Sequence, residues 1–112
     1  MRDEEQQDVP VPAASRPIMA LLDILGRKWA LRVLWELRKG PLSSRALRSA
    51  AGDLSPTVLQ ARINELRRAG LVASTEEGYS LTPMGVELAE AFLPLYRFAD
   101  KWAGSQQMQD AG

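Results

Sequence analysis

The chain has 112 residues, 46% hydrophobic and 25% charged, and its fourteen Lys and Arg balance fourteen Asp and Glu to a formal net charge of zero. That length holds one hydrophobic core, and the absence of Cys and His excludes disulfides, thiolate zinc sites, thiol nucleophiles and imidazole bases. No apolar run reaches the roughly 20 residues that cross a bilayer, and no apolar signal segment opens the chain, so a cytoplasmic binding protein is expected.

Residues 1–15 are acidic and then Pro/Ala-rich, too poor in apolar content to pack, and are expected to form a mobile tail. A first helix is predicted over Pro17 to Leu25, where Ile18, Leu21, Leu22 and Leu25 repeat at i, i+3, i+4 and i+7, with Gly26 ending it just past the C-cap. Lys28 to Lys39 carries Trp29, Leu31, Val33, Leu34, Trp35 and Leu37 and reads as the central buried helix, stopped by Gly40-Pro41. Ser43 is an N-cap for a short helix through Arg48, and Gly52 supplies a positive-φ turn after it. Ser55-Pro56 caps and starts the next helix, to Ala69, with Gly70 as terminator. The period then changes to strand, turn, strand over Leu71–Thr75, Glu76–Gly78 and Tyr79–Thr82. Thr82-Pro83 repeats the cap-plus-proline start for a last helix to about Trp102, in which Pro94 removes a hydrogen bond and predicts a kink or interruption. Residues 105–112 read as a second mobile tail. The fold class is thus mainly α with a small β-hairpin (α+β), in a domain over residues 16–104.

Helix, tight turn, helix and hairpin in about forty residues is the layout of a winged helix-turn-helix. On the helix after Ser55, Leu59, Ile63 and Leu66 share one face and should pack inward. The opposite face and its flanks offer Thr57, Gln60 and Asn64, which with Ser55 are the candidates for base edges in a major groove. Gln and Asn can each pair bidentately with adenine, and Thr can pack on a thymine methyl. Arg45, Arg48, Arg62 and Arg67 are the candidates for phosphate contacts, which position the protein without reading sequence. Capping alone accounts for Ser55. Arg62 lies only about 70° from the centre of the core face, so its stem is equally placed to pack while its head meets an acid.

The balanced charge is a cancellation. Residues 16–75 carry eleven Arg and Lys against four Asp and Glu, a net +7, while residues 1–15 carry −3 and residues 76–112 carry −4. The basic centre, rich in Arg, coincides with the helix-turn-helix and suits bidentate contacts to phosphate and guanine.

Several segments together resemble the HxlR family of bacterial winged-helix regulators. They are Gly-Arg-Lys-Trp at 26–29, Ser-Pro-x-x-Leu at 55–59, Arg-x-x-Glu-Leu at 62–66 and Tyr-Ser-Leu-Thr-Pro-x-Gly at 79–85. The resemblance spans roughly residues 16–103 and implies a homodimeric, cytoplasmic, DNA-binding transcription regulator of MarR-like architecture, expected here to be a repressor. The chain departs from the family in two respects. Arg16 stands where many members place a sensing cysteine, and the hairpin is short, with Glu76-Glu77 at its tip, which repels phosphates.

Dimerisation is expected through the terminal helices, with Ile18, Leu21 and Leu22 from the first and Leu88, Phe92, Leu95 and Trp102 from the last. Tyr96, Phe98, Met19 and Trp102 are the candidates for a small-molecule effector pocket at that interface. No cofactor or metal is expected. A protein-interaction module on the same fold, with little DNA affinity, is the alternative function. An enzyme is disfavoured by the lack of clustered carboxylates or a Gly-rich phosphate loop.

Overall fold

The computed structural model describes residues 16–111, so the expected N-terminal tail lies outside the described residues. In chain order the elements are α1 (Pro17–Leu25), α2 (Ala30–Leu37), α3 (Ser44–Ala50), α4 (Pro56–Arg68), β1 (Val72–Thr75), β2 (Gly78–Leu81), α5 (Pro83–Ala91) and α6 (Leu93–Ala111). Mostly helical with one antiparallel hairpin, the described chain has the winged helix-turn-helix order.

The starts of α3, α4 and α5 share one device. Ser43 Oγ accepts from the Ala46 N–H at 3.1 Å, Ser55 Oγ from Val58 at 3.2 Å, and Thr82 Oγ1 from Gly85 at 3.0 Å. Pro56 and Pro83 occupy the first turn of their helices, where no backbone donor is needed. The Thr82 hydroxyl also donates to the Gly70 carbonyl at 2.6 Å, tying the start of α5 to the end of α4.

The junction of α1 and α2 differs from expectation. Gly26 is the C-cap itself, with a right-handed φ of −76°, and is required for space because a Cβ would stand 2.9 Å from the Leu22 carbonyl oxygen. The left-handed residue is Trp29, at φ 78°, so α2 starts at Ala30 rather than Lys28. A left-handed aromatic costs of the order of 1 kcal/mol or more. It is offset by packing of the indole against the core and by the Lys28 ammonium 5.4 Å from its ring centroid.

Four residues of α2, Ala30, Val33, Leu34 and Leu37, are buried at helical spacing. Val33, Leu34 and Leu37 meet Leu47 of α3, Leu59, Ile63 and Leu66 of α4, and Leu25, Ala51, Leu54, Leu71 and Val72 around them. The hairpin pairs Val72 with Leu81 through Thr75 with Gly78, leaving Glu76 and Glu77 as its two-residue tip. Leu42 and Tyr79 exchange two backbone hydrogen bonds of 3.0 and 2.9 Å, which fasten the hairpin to the segment before α3.

The expected last helix is two helices, interrupted at Phe92, whose N–H bonds back to the Leu88 and Ala89 carbonyls. Pro94, lacking a donor and crowding the preceding turn, is the physical reason. The expected stop near Trp102 is corrected as well, since α6 continues to Ala111. Tyr96 fixes α6 to the body, with its ring centroid 3.8 Å from that of Trp35, over which the Arg38 guanidinium lies at 3.5 Å.

Two glycines should respond oppositely to substitution. A methyl at Gly85 would run into the Leu71 carbonyl, whereas nothing lies within 4 Å of the Cβ position at Gly104 in α6. Gly85→Ala should destabilise by about 1–3 kcal/mol and Gly104→Ala should stabilise by up to ~1 kcal/mol, read as shifts of opposite sign in thermal melting. Burial raises the Tyr96 phenol above its ordinary pKa, with the Arg38 charge acting the other way. The stability from this group is complete below the unfolded tyrosine value of about 10 and is lost as pH rises through the folded value. Denaturant midpoints measured from pH 8 upward should therefore fall on the alkaline side, and less so in Tyr96→Phe.

Candidate nucleic-acid interface

The inward face of α4 decides what its outward face presents. Ile63 and Leu66 are fully buried and Leu59 nearly so. Residues at 100° steps from that stripe must point outward. Thr57 and Gln60 are exposed and Asn64 is half-exposed. Gln60 Nε2 donates to Asn64 Oδ1 at 2.9 Å, so two of the four expected base-reading side chains form one amide pair on this surface. The pair leaves the Gln60 carbonyl and the Asn64 amide N–H groups available, an acceptor and donors of the kind that adenine edges match. Ser55 is exposed at the helix start, its hydroxyl engaged in capping, beside the orphan amides of the first turn.

The turn before α4 is held by one of the expected phosphate ligands. Gly52 and Asp53 both adopt positive φ, 93° and 60°. Arg48 Nε donates to the Leu54 carbonyl at 2.8 Å while the Leu54 N–H donates to the Arg48 carbonyl at 3.1 Å. Half-buried Arg48 thus clamps the turn, whereas Arg45 stands exposed on α3 and Arg67 on α4.

Arg62 is occupied elsewhere. Its Nε lies 3.3 Å from Glu65 Oε1, Arg27 Nη1 lies 3.5 Å from Glu65 Oε2, and Arg62 Nη1 donates to the Lys28 carbonyl at 3.5 Å. The Arg62–Glu65 pair is Coulombic, because neither facing atom has hydrogen-bond geometry. Side-chain exposures of 18% and 21% keep it drier than a surface pair. The Gly-Arg-Lys-Trp and Arg-x-x-Glu-Leu segments therefore meet in space and brace α4 against the α1–α2 corner. This matches the packed alternative for Arg62, whose guanidinium is engaged within the chain.

Two further residues join the surface. An open groove of about 580 Å³ runs between α4 and β1, lined by Asn64, Arg67, Arg68, Val72, Ala73 and Ser74. Arg68 shares the outward face with Asn64, a spacing that was readable in the sequence. Ser74 depends on how the hairpin packs, which was not.

A second surface is apolar. Ile18 and Leu22 of α1 and Leu95, Phe98 and Trp102 of α6 are all about half exposed or more. Leu21, Leu88 and Phe92, also expected at a subunit interface, are partly buried against the core. Leu88 and Phe92 precede the start of α6, on which Phe98 stands exposed with Leu95 and Trp102.

Residues 24–107 match the family described as HxlR-like helix-turn-helix. A relative from Synechocystis sp., named as the HTH-type transcriptional regulator sll1512, is 28% identical over 93 residues, covering 77% of this chain and 69% of the relative. A crystal structure titled as a possible HxlR family transcriptional factor from Thermoplasma volcanium superposes with a TM-score of 0.70 at 26% identity, covering 79% of this chain and 85% of that one. Another, titled as a regulator of the MarR family from Enterococcus faecalis, gives 0.69 at 27% identity, covering 89% and 96%. The chain belongs to the HxlR-like helix-turn-helix family and is a transcriptional regulator of helix-turn-helix type.

Proposed function

We propose that the protein binds double-stranded DNA sequence-specifically as a homodimeric repressor, reading the major groove with α4. The observation that carries this reading is the outward Thr57–Gln60–Asn64 surface, fixed by the buried Leu59–Ile63–Leu66 stripe behind it. Thr57, Gln60 and Asn64 contact base edges, and the N-terminus of α4 at Ser55 approaches a phosphate. Arg45 and Arg67 contact the backbone, and Arg48 acts through the turn it clamps.

The exposed stripes of α1 and α6 support the homodimer, because large apolar side chains grouped on terminal helices mark interaction surfaces. Phe98 and Trp102 stand on the α6 stripe while Tyr96 is committed to Trp35. A small-molecule effector at that interface would therefore meet Phe98 and Trp102 rather than Tyr96.

Each part of the reading has its own measurement. Gln60→Ala or Asn64→Ala should cost about 1–3 kcal/mol on the preferred duplex and little on random DNA, in titrations with a site selected from a random pool. Wild-type affinity should fall with salt at a log–log slope of about −6, for roughly 6–8 neutralised phosphates per dimer. Salt-independent or undetectable duplex binding would leave the protein-interaction module as the better description. Sedimentation at tens of micromolar should show a dimer, and Leu95→Glu with Trp102→Glu should convert it to monomer.

A further inference from the structure

The geometry points to a binding site for an aliphatic monocarboxylate in the groove bounded by the end of α2, the end of β2 and the α5–α6 joint, with Arg38 and Lys39 taking the carboxylate. None of its lining residues belongs to the outward face of α4 or to the exposed apolar stripe through Ile18, Leu22, Leu95, Phe98 and Trp102. The inference stands whether or not the protein binds DNA.

The groove has a volume of about 350 Å³, at the small end of the range for ligand sites. Its apolar lining is aliphatic. Leu81, at the end of β2, is half-buried and packs on the core. Val86 and Ala89 of α5 and Leu93 at the start of α6 follow at spacings of three and four, so they line one side of the groove across the interruption at Phe92. Val86 and Leu93 remain 44% and 36% exposed, and a hydrocarbon chain lying between them removes that surface from water. Among the described residues no aromatic ring lines the groove. The Trp35 indole behind Arg38 is already in contact with the guanidinium and with the Tyr96 ring, which leaves a planar ligand little to stack on.

The cationic end is organised before any ligand arrives. The Arg38 guanidinium lies 3.5 Å from the Trp35 ring centroid, and its Nη1 donates to the Trp35 carbonyl at 3.1 Å. Nε and Nη2 are left to donate outward, from a group whose freedom is already restricted. Lys39 is exposed beside it, and neither cation forms an ion pair among the described residues. The carbonyls at the end of α2 would repel an anion, but those of Trp35 and Leu37 accept hydrogen bonds from Arg38 and from the Gly40 N–H. Glu90 of α5 also lines the groove and brings its net charge to +1. One carboxylate balances that charge, whereas a doubly charged phosphate is penalised by Glu90.

The test titrates the full chain with octanoate and follows the methyl signals of assigned Leu, Ile and Val residues by carbon–proton correlation spectra. Octanoate should shift Leu81, Val86 and Leu93 saturably and leave Ile18 and Leu95 in place. Butanoate, shorter by four methylenes, should bind roughly tenfold more weakly. Arg38→Gln and Lys39→Gln should each weaken octanoate binding by about twofold to fivefold, and Glu90→Gln should strengthen it by about twofold. These changes should shrink at high salt and be absent for uncharged 1-octanol. Inorganic phosphate at matched ionic strength should not displace octanoate. Equal shifts at Leu95 mark adsorption to apolar surface in general, and phosphate displacement marks a site for any anion. Signals that follow protein concentration rather than octanoate assign the groove to a second copy of the chain. Each of these results, or unchanged affinity in Lys39→Gln, overturns the inference and leaves the reading of α4 intact. If Arg38→Gln lowers the thermal melt through its Trp35 contact, the exposed Lys39 and Glu90 carry the test alone.

Discussion

Burial of Leu59, Ile63 and Leu66 against α2 and α3 is the constraint from which the rest of the site follows. These three side chains fix the rotation of α4 about its axis, and rotation decides which polar groups leave the protein surface. The ion pairs among Arg27, Arg62 and Glu65 and the bond from Arg62 to the Lys28 carbonyl then limit sliding along that axis. At the other end of α4, Arg48 and Leu54 close the turn with two hydrogen bonds. The apolar stripe supplies most of the energy, whereas the polar braces specify one position among several that the stripe alone would tolerate. Burial of three such side chains is worth several kcal/mol, while a partly exposed ion pair is worth at most ~1 kcal/mol.

Much of this was legible in the sequence because its signals are local. The caps at Ser43, Ser55 and Thr82 need only a hydroxyl and a nearby amide, and Pro56 and Pro83 mark helix starts by chain geometry alone. The hairpin and the inward stripe of α4 follow from periodicity, although the turn read over Glu76–Gly78 closes on two residues because Gly78 already pairs with Thr75. The features that escaped depend on distant partners. Left-handed Trp29 is tolerated only because the core accepts its ring, and a glycine three residues earlier was the more obvious candidate for a turn. Arg48 looks like a free cation in sequence, since the carbonyl that engages it lies across a turn, and for Arg62 the sequence leaves packing and phosphate both open because the Lys28 carbonyl and Arg27 that complete its surroundings come from another part of the chain. The seam read through Leu88, Phe92, Leu95, Ala99 and Trp102 assumed one continuous helix. Leu88 and Phe92 instead precede the start of α6, on which Phe98 stands exposed with Leu95 and Trp102.

Charge shows the same separation of local from global. A neutral chain would ordinarily be set aside as a nucleic-acid binder, yet the neutrality is the sum of a basic helix-turn-helix and acidic surroundings. On the folded chain part of that basic charge is already committed to internal pairs, through Arg27, Arg32 and Arg62. What faces outward around α4 is a smaller and more localised set, and a localised set discriminates between duplex positions better than a diffuse one.

The interruption at Phe92 has a consequence for how such proteins diversify. Because α6 begins afresh at Leu93, its apolar stripe is phased by the few residues around Pro94 rather than by α5. One inserted or deleted residue there would rotate Leu95, Phe98 and Trp102 by about 100° around the helix axis while leaving the α4 surface untouched. In the proposed dimer, that short joint would set the distance and angle between the two reading helices. Operator spacing and operator sequence could then change independently, the first through three or four residues near a proline and the second through the side chains of one helix.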